Sequence, residues 1–527
     1  MNKFSKLTAA VRTQKASSGI FAAAVIAAIL VVNIIIYIFA TTFGWYFYTT
    51  ETLDLSVSES SGDYFAATLS ELEASATGKV KINFLMAKDD LEVHNPGMYV
   101  HQTAVNLAEA YPDLIEVEYI NIYTQINSKG EVVDLSKYLK NEAGQEMPIF
   151  KTSVIFTYNG QNGENYRVIT DYNTSDGFSS FFTLNANMTV TSYNGEEVMA
   201  AMVGWVMRDK HPTAYLTTGH GESTSQTMTV MLACAGYNVQ AINLRGLTLD
   251  EELSLTEDPD TLLIISNPTS DFGRASASSD VRDEIEKLET YLGRGGHLYV
   301  SIDPYVSHKQ ILNLTSFLEN YGISIATSTP DGVTLRNIVK DSSNAITLDG
   351  YTVVAGFAES DVAGKIKATA EKYGSGKILV REAAAIVCSE GERGSAYPLL
   401  VSSDSSVCEV GGTVVDNSGS YCVAAGATVP VEGAAPGGIF VISTAYIAAS
   451  DAVNTDGYSN KDFVYAVLDE IMNAKTPPYG CTSIVYDTGT LEGLTMGTAN
   501  IYTAIAIVIP ALIALAGVVI ITKRKNR

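Results

Sequence analysis

The chain of 527 residues contains 5 cysteines, 6 histidines and 34 lysines and arginines against 58 acidic residues, and each shortage removes a class of function. Cys234, Cys388, Cys408, Cys422 and Cys481 form no CxxC pair and no metal-ligand spacing, which excludes a zinc ribbon and a dithiol redox centre. Their odd number rules out a complete intramolecular disulfide set. Cys408 and Cys422 are the candidate pair, with free or buried thiols as the alternative. The histidines form no HExxH motif. His94 and His101 are separated by Pro96 and Gly97, which break a continuous helix. No GxSxG segment ends a strand, so there is no nucleophile elbow. "EKYGSGKI" (Glu371 to Ile378) has the GK pair of a P-loop without its earlier glycine or the following Ser/Thr, so this chain does not itself hydrolyse ATP.

Charge is absent altogether from two stretches. Ala16 to Thr50 carries no charged residue and holds "IFAAAVIAAILVVNIIIYIFA"; Gly493 to Thr522 is also uncharged and holds "IYTAIAIVIPALIALAGVVII". Each exceeds the ~20 apolar residues that a membrane span needs. Lys3, Lys6, Arg12 and Lys15 precede the first, Lys523, Arg524, Lys525 and Arg527 follow the second, and Trp45, Tyr46 and Tyr48 mark the far edge of the first. By the positive-inside rule both termini are expected in the cytoplasm and the body outside. The first apolar region is longer than the roughly 7 to 15 residues of a signal peptide and no clear cleavage site follows, so an uncleaved anchor is expected. The tails hold 8 of the 34 basic residues and no acid, leaving the remainder with 26 basic against 58 acidic, a net of −32. Such a field repels polyanions, so nucleic acid is not an expected partner.

What is present is a regular alternation of short apolar runs and amphipathic segments. After a cytoplasmic tail (1–17) and first span (18–48) comes a juxtamembrane linker and helix (49–78), with helical spacing in "SGDYFAATLSELEA". Residues 79–193 read as a thioredoxin-like α/β domain: strand "KVKINFLMA", a helix over Tyr99 to Tyr111, strand "IEVEYINI", and a hairpin turning at Asn159 to Gly163. "NGEEVMAAMVGWVMRDK" places Val198, Met202, Trp205 and Val206 on one face, with acids early and bases late. It opens a second α/β domain (194–330) whose strands and helices alternate as in a parallel, helix-covered sheet. Residues 331–430 change to short β-prone runs, a β-rich insertion; 431–480 return to the α/β style. A linker (481–498), the second span (499–522) and a cytoplasmic tail (523–527) complete the chain.

If those strands are parallel, Gly219, His220, Gly221 and Glu222, then Asn267, Asp303 and Ser443, all follow strand carboxyl ends and line one edge, where open α/β sheets bind ligands. These seven are the candidate binding crevice. A plainer role exists for each: Gly219 and Gly221 suit a tight turn, Glu222 or Ser223 a helix cap, and Asp303 before Pro304 a strand-ending turn. No catalytic residue, metal site or cofactor is assigned.

The ordered string "VGWVMRDKHPTAYLTTGHGE", "LACAGYNVQAINL", "DTLLIISNPTSDF", "EIEKLETYLGRGGHLYVSIDP" and "SFLENYGISI" resembles the GldG-like family, the auxiliary subunit of gliding-motility-type ABC transporters. The similarity covers Asn194 to Ala326 best. It implies a membrane-anchored extracytoplasmic protein whose second domain is similar to glutamine-amidotransferase folds without their nucleophile; here Thr217, Thr218, Gly219 and His220 stand at the turn where that cysteine belongs. It further implies a separate ATPase and multi-span permease as partners. The expectation is a non-enzymatic accessory subunit whose acidic body recognises a polymer, peptide or protein outside the cell. The alternatives are a standalone surface binder or sensor, and a hydrolase using His220, Glu222 and Asp303.

Overall fold

The computed structural model describes residues 55–485 apart from 72–77, 95, 141–145, 161–162, 172–180, 185–189, 248–260, 274–282, 418, 456, 473–476 and 482. Both apolar segments read as spans lie outside the described residues, and among the described residues no helix is long and apolar enough to cross a membrane. The architecture is mixed α/β with parallel strands, as expected.

The first sheet is built from β1 (Val80–Phe84), β2 (Ile115–Asn121), β3 (Val154–Gly160) and β4 (Gly163–Ile169), in the order β2-β1-β3-β4 with a two-residue strand, Ile126–Asn127, beyond β2. β1 and β2 are parallel, joined through α2 (Gly97–Ala110); β3 lies antiparallel to β1, and β4 antiparallel to β3 across the hairpin. An earlier helix, α1 (Glu59–Glu71), buries Tyr64 and Phe65 at 3% exposure in the same core. The juxtamembrane segment is therefore part of the folded body.

Helix α3 (Gly195–Val206) follows. The sequence reading gives it one apolar face, but Val198 to Val203, Trp205 and Val206 are all buried, on every side. A helix apolar all round belongs inside a core, and α3 is continuous with the apolar contacts of both sheets. Its packing is close: a Cβ at Gly204 would lie 2.1 Å from the Tyr64 hydroxyl. At its far end Trp205 carries the Arg167 guanidinium 4.6 Å from its ring on one contact and the His211 ring stacked at 3.5 Å on another. Burial, with Arg167 and Arg208 nearby, pulls the His211 pKa down to about 3, so it stacks as a neutral ring.

The second sheet centres on parallel strands β5 (Thr213–Thr217), β6 (Asn238–Ile242), β7 (Leu262–Ser266) and β8 (His297–Ser301). The segment 331–430 does not stand apart from it. Its strands β9 (Thr352–Phe357), β10 (Ile378–Arg381), β11 (Ser395–Val401) and β12 (Cys422–Val429) continue the same sheet, each antiparallel to its neighbours, with β12 beside β13 (Gly437–Ile442), which lies parallel to β8. The order is β10-β9-β11-β12-β13-β8-β7-β5-β6. Strands β7, β8 and β13 are buried throughout, because helices cover both faces. Leu262 and Ile264 point to the side of α4 (Gln226–Cys234) and α8 (Asn460–Glu470). Leu263 and Ile265 point to α5 (Glu284–Leu292) and α6 (Leu312–Glu319). The insertion also holds a helix that the sequence reading lacks, α7 (Asp361–Tyr373), capped by Ser360. Its buried stripe is Ala363, Ile366 and Ala370, too little apolar bulk to show as a period.

The two ends of the described body meet at the start of α3. Glu196 accepts from Ser58 N and Oγ at 2.8 Å and from Ser61 Oγ at 2.6 Å. Ser61 Oγ lies 3.8 Å from Cys481 Sγ, and Ile484–Val485 pairs antiparallel with Tyr193 and Ser192. Beside them, buried Glu197 accepts from Lys461 Nζ at 2.8 Å and from the Tyr465 hydroxyl at 2.5 Å. Lys461 Nζ also reaches Ser483 Oγ at 2.8 Å. Removing one partner of a buried ion pair strands the other charge, so Glu197→Ala is expected to lower the unfolding free energy by about 3–5 kcal/mol. Denaturant unfolding of the two proteins in detergent measures the difference.

Candidate functional site

Parallel pairing of β5, β7, β8 and β13 brings the loops after them to one edge. Because β6 and β7 lie on opposite sides of β5, the point outside β5 and β7 is where an open α/β sheet offers a ligand crevice. Here that point is filled from within. His220 is 1% exposed and stacks on Phe272 with ring centres 4.0 Å apart.

The turn that delivers His220 depends on its two glycines. Gly219 and Gly221 have φ of +110° and +71°, where side chains are disfavoured, and a Cβ on Gly221 would lie 2.1 Å from Thr269 Oγ1. Glu222 does not cap α4; Ser225 does, accepting from Met228 N at 3.1 Å. Glu222 instead folds back on the turn, accepting from His220 N at 2.7 Å and holding Nδ1 at 3.2 Å. His220 O accepts from Thr269 N and Ser270 N, both at 2.9 Å, tying the turn to the loop after β7.

The second ring nitrogen finds a residue that sequence reasoning missed. Nε2 lies 3.1 Å from Glu284 Oε2, at the first position of α5. The same carboxylate accepts from Gly273 N at 2.6 Å and faces Arg245 Nη2 at 3.5 Å. "EIEKLETYL" advertises only a helix with acids in its first turn, so nothing local separates Glu284 from Glu286. Both ring nitrogens can donate only in the charged imidazole. Burial alone would lower its pKa, but the hydrogen bonds and charges of Glu222 and Glu284 outweigh it and raise His220 to about 9. Both glutamates are held below the usual carboxylate range: burial pushes them up, and their bonds to His220 and nearby backbone amides prevail. A charged histidine with both nitrogens engaged has no lone pair for general-base work.

The other residues of the expected crevice share the edge without joining this cluster. Asp303 is separated from His220 by the intervening strand β7; its Oδ1 accepts from Tyr305 N at 2.8 Å, so it is not the orienter of His220. Asn267 adopts φ of 49° and donates to Ser223 O at 3.4 Å. Ser443 is fully buried, with its hydroxyl between the carbonyls of Ala384 and Val423. Cys422 has Cys388, not Cys408, as its thiol neighbour, at 4.0 Å, and all five cysteines are free. Among the described residues no group of His, Cys, Asp or Glu is arranged to hold a metal ion.

Two open spaces lie elsewhere. One of about 250 Å³ adjoins Ser225 and Gln226 at the start of α4, with Asn194, Lys461 and Ser483 opposite. The other, about 440 Å³, lies past the carboxyl ends of β1 and β2 between Met86, Tyr123 and Lys151.

No family model and no curated protein matches the chain. Solved structures similar to parts of it include the mmIFT52 N-terminal domain, at 13% identity over 50% of this chain and 97% of that one with a TM-score of 0.35. A cytoplasmic protein STM3548 from Salmonella typhimurium aligns at 9% identity over 49% and 98%, TM-score 0.29. PurLQS from Thermotoga maritima aligns at 11% identity over 49% and 99%, TM-score 0.27. At such scores the likeness assigns neither a fold family nor an activity.

The cluster sets a pH window. His220, raised from 6.5, contributes stability that is complete below about 6.5 and lost as pH rises through about 9. The glutamates, lowered from 4.5, contribute stability present above 4.5 and lost as pH falls through their depressed values. Thermal unfolding midpoints are expected to be highest between about 4.5 and 6.5, with an alkaline decline that His220→Gln removes. An unchanged alkaline limb in that variant would show that His220 is not charged in the folded protein.

Proposed function

We propose that this chain is a non-catalytic, membrane-anchored accessory subunit of an ABC-type transport system of the gliding-motility type, with its body outside the cell and both tails inside. The observation that carries the reading is the meeting of Ser58 and Ser61 with Glu196, Cys481 and Ser483 at one place on the body. The two ends of the described body thus lie together, an arrangement that suits a chain with an apolar segment before Leu55 and another after Val485.

Two features of the body support this reading. The order β2-β1-β3-β4, parallel then antiparallel, suits the expected thioredoxin-like half, and no cysteine occurs between Val80 and Tyr193. In this reading the parallel block of the second sheet corresponds to the amidotransferase-like part that the resemblance implies, and its turn after β5 carries His220 as a charged clamp where the nucleophile would stand. The permease and the ATPase are separate proteins in this reading, because the chain has two apolar segments and no P-loop.

Two results are expected. Single cysteines placed at Lys3 and Lys525, in a chain whose own cysteines are replaced, stay protected from a membrane-impermeant maleimide in intact cells, while one placed at exposed Tyr123 is labelled. Mild-detergent purification of the full-length protein recovers an ATPase and a multi-span permease in stoichiometric amounts. Recovery of the protein alone, repeated after crosslinking, refutes the accessory role.

A further inference from the structure

The Arg336 guanidinium has no counter-charge bonded to it among the described residues. Arg336 is 4% exposed. It sits on a hairpin of two-residue strands, Thr327–Ser328 and Leu335–Arg336, placed at the carboxyl end of β8. Its Nη1 donates to the carbonyl of Asp303 at 2.6 Å, while Nε and Nη2 are buried without a hydrogen-bond partner among the described residues. The Asp303 carboxylate is not bonded to these two nitrogens, and its Oδ1 accepts from Tyr305 N at 2.8 Å. Burial pulls the Arg336 pKa down to about 10, with the Asp303 charge opposing, so the group still enters neutral solution as a cation.

The pair left empty is informative. Nε and Nη2 form the side-on edge of a guanidinium, two parallel N–H groups spaced to meet two oxygens of one planar anion. A buried cation without such a partner is costly. The element that carries Arg336 is slight: the hairpin has two residue pairs, and its Val333 and Leu335 are 57% and 40% exposed. Segments with so few buried contacts open at low free energy. Tyr305, whose backbone N–H bonds Asp303, is 62% exposed.

We propose that Arg336 seats a carboxylate at the carboxyl edge of the second sheet, bound side-on by Nε and Nη2 beneath the Thr327–Arg336 hairpin. The planar pair of oxygens matches that edge, and with the Asp303 charge close by a monoanion is repelled less than a dianionic phosphate. The site holds whichever proteins dock the chain, so it stands or falls apart from the transport reading.

The test is thermal unfolding of full-length protein in detergent, wild type against Arg336→Met and Arg336→Lys. Chloride is exchanged for sodium acetate at constant ionic strength. In chloride Arg336→Met is expected to unfold at or above the wild-type midpoint, because a buried unpaired charge has been removed. Acetate raises the wild-type midpoint in a saturable way, leaves Arg336→Met unmoved, and acts on Arg336→Lys with apparent affinity weaker on the order of tenfold. Acetyl-dialanine with a free carboxyl group, compared with its amide, separates the sources: a response to acetate alone assigns a small free acid, and a response to the free-acid peptide but not the amide assigns a chain end. Equal acetate responses in wild type and Arg336→Met, no response in wild type to either carboxylate, or a midpoint several degrees lower for Arg336→Met in chloride overturns the proposal. The last result would mean that an ordered water already satisfies the guanidinium.

Discussion

Helix α3 has no side facing solvent. Val198 to Val203, Trp205 and Val206 are spent on contacts with α1, α2, α4 and strands β3 and β4, within a core that runs on into the second sheet. The helix packs directly on the first sheet and, through α4, joins the core that runs under the second. The same constraint places the acids of its first turn. Glu196 and Glu197 emerge where the helix enters the core; one gathers the serines of the incoming chain, and the other anchors Lys461 and, through it, the outgoing chain.

A second charge is buried at the sheet edge with a different outcome. His220 is held between two carboxylates and against Phe272, and its backbone carbonyl fixes the loop after β7. Three loops that could have moved apart to admit a ligand are fastened together. The position that makes an open α/β sheet useful for binding has been converted into a joint, and a binding function must be sought along the edge, toward Asp303 and Arg336.

Much of this was legible because period and order are local properties. The alternation of strands and helices from Thr213 to Ile325, the hairpin at Asn159 to Gly163 and the shared edge of Gly219 to Glu222, Asn267, Asp303 and Ser443 follow from spacing and turn residues. The losses have specific causes. α7 escaped because alanine supplies most of its buried stripe, and α3 was read as one-faced because helical spacing ranks apolar positions without revealing what lies opposite. Glu284 meets His220 across 64 residues, and Cys388 approaches Cys422 through neighbouring strands. Both depend on strand order, which no local pattern encodes. The turn around His220 was recognisable, but the choice of Ser225 over Glu222 or Ser223 as the α4 cap depends on which side chain the histidine has already claimed.

The closeness of the chain's entry and exit has a mechanical side. A pull that separates the two ends acts first on the Ser58 and Ser61 bonds to Glu196 and on the two-residue pairing of Ile484–Val485 with Tyr193 and Ser192. These few contacts are what a separating force meets before it reaches the wide second sheet.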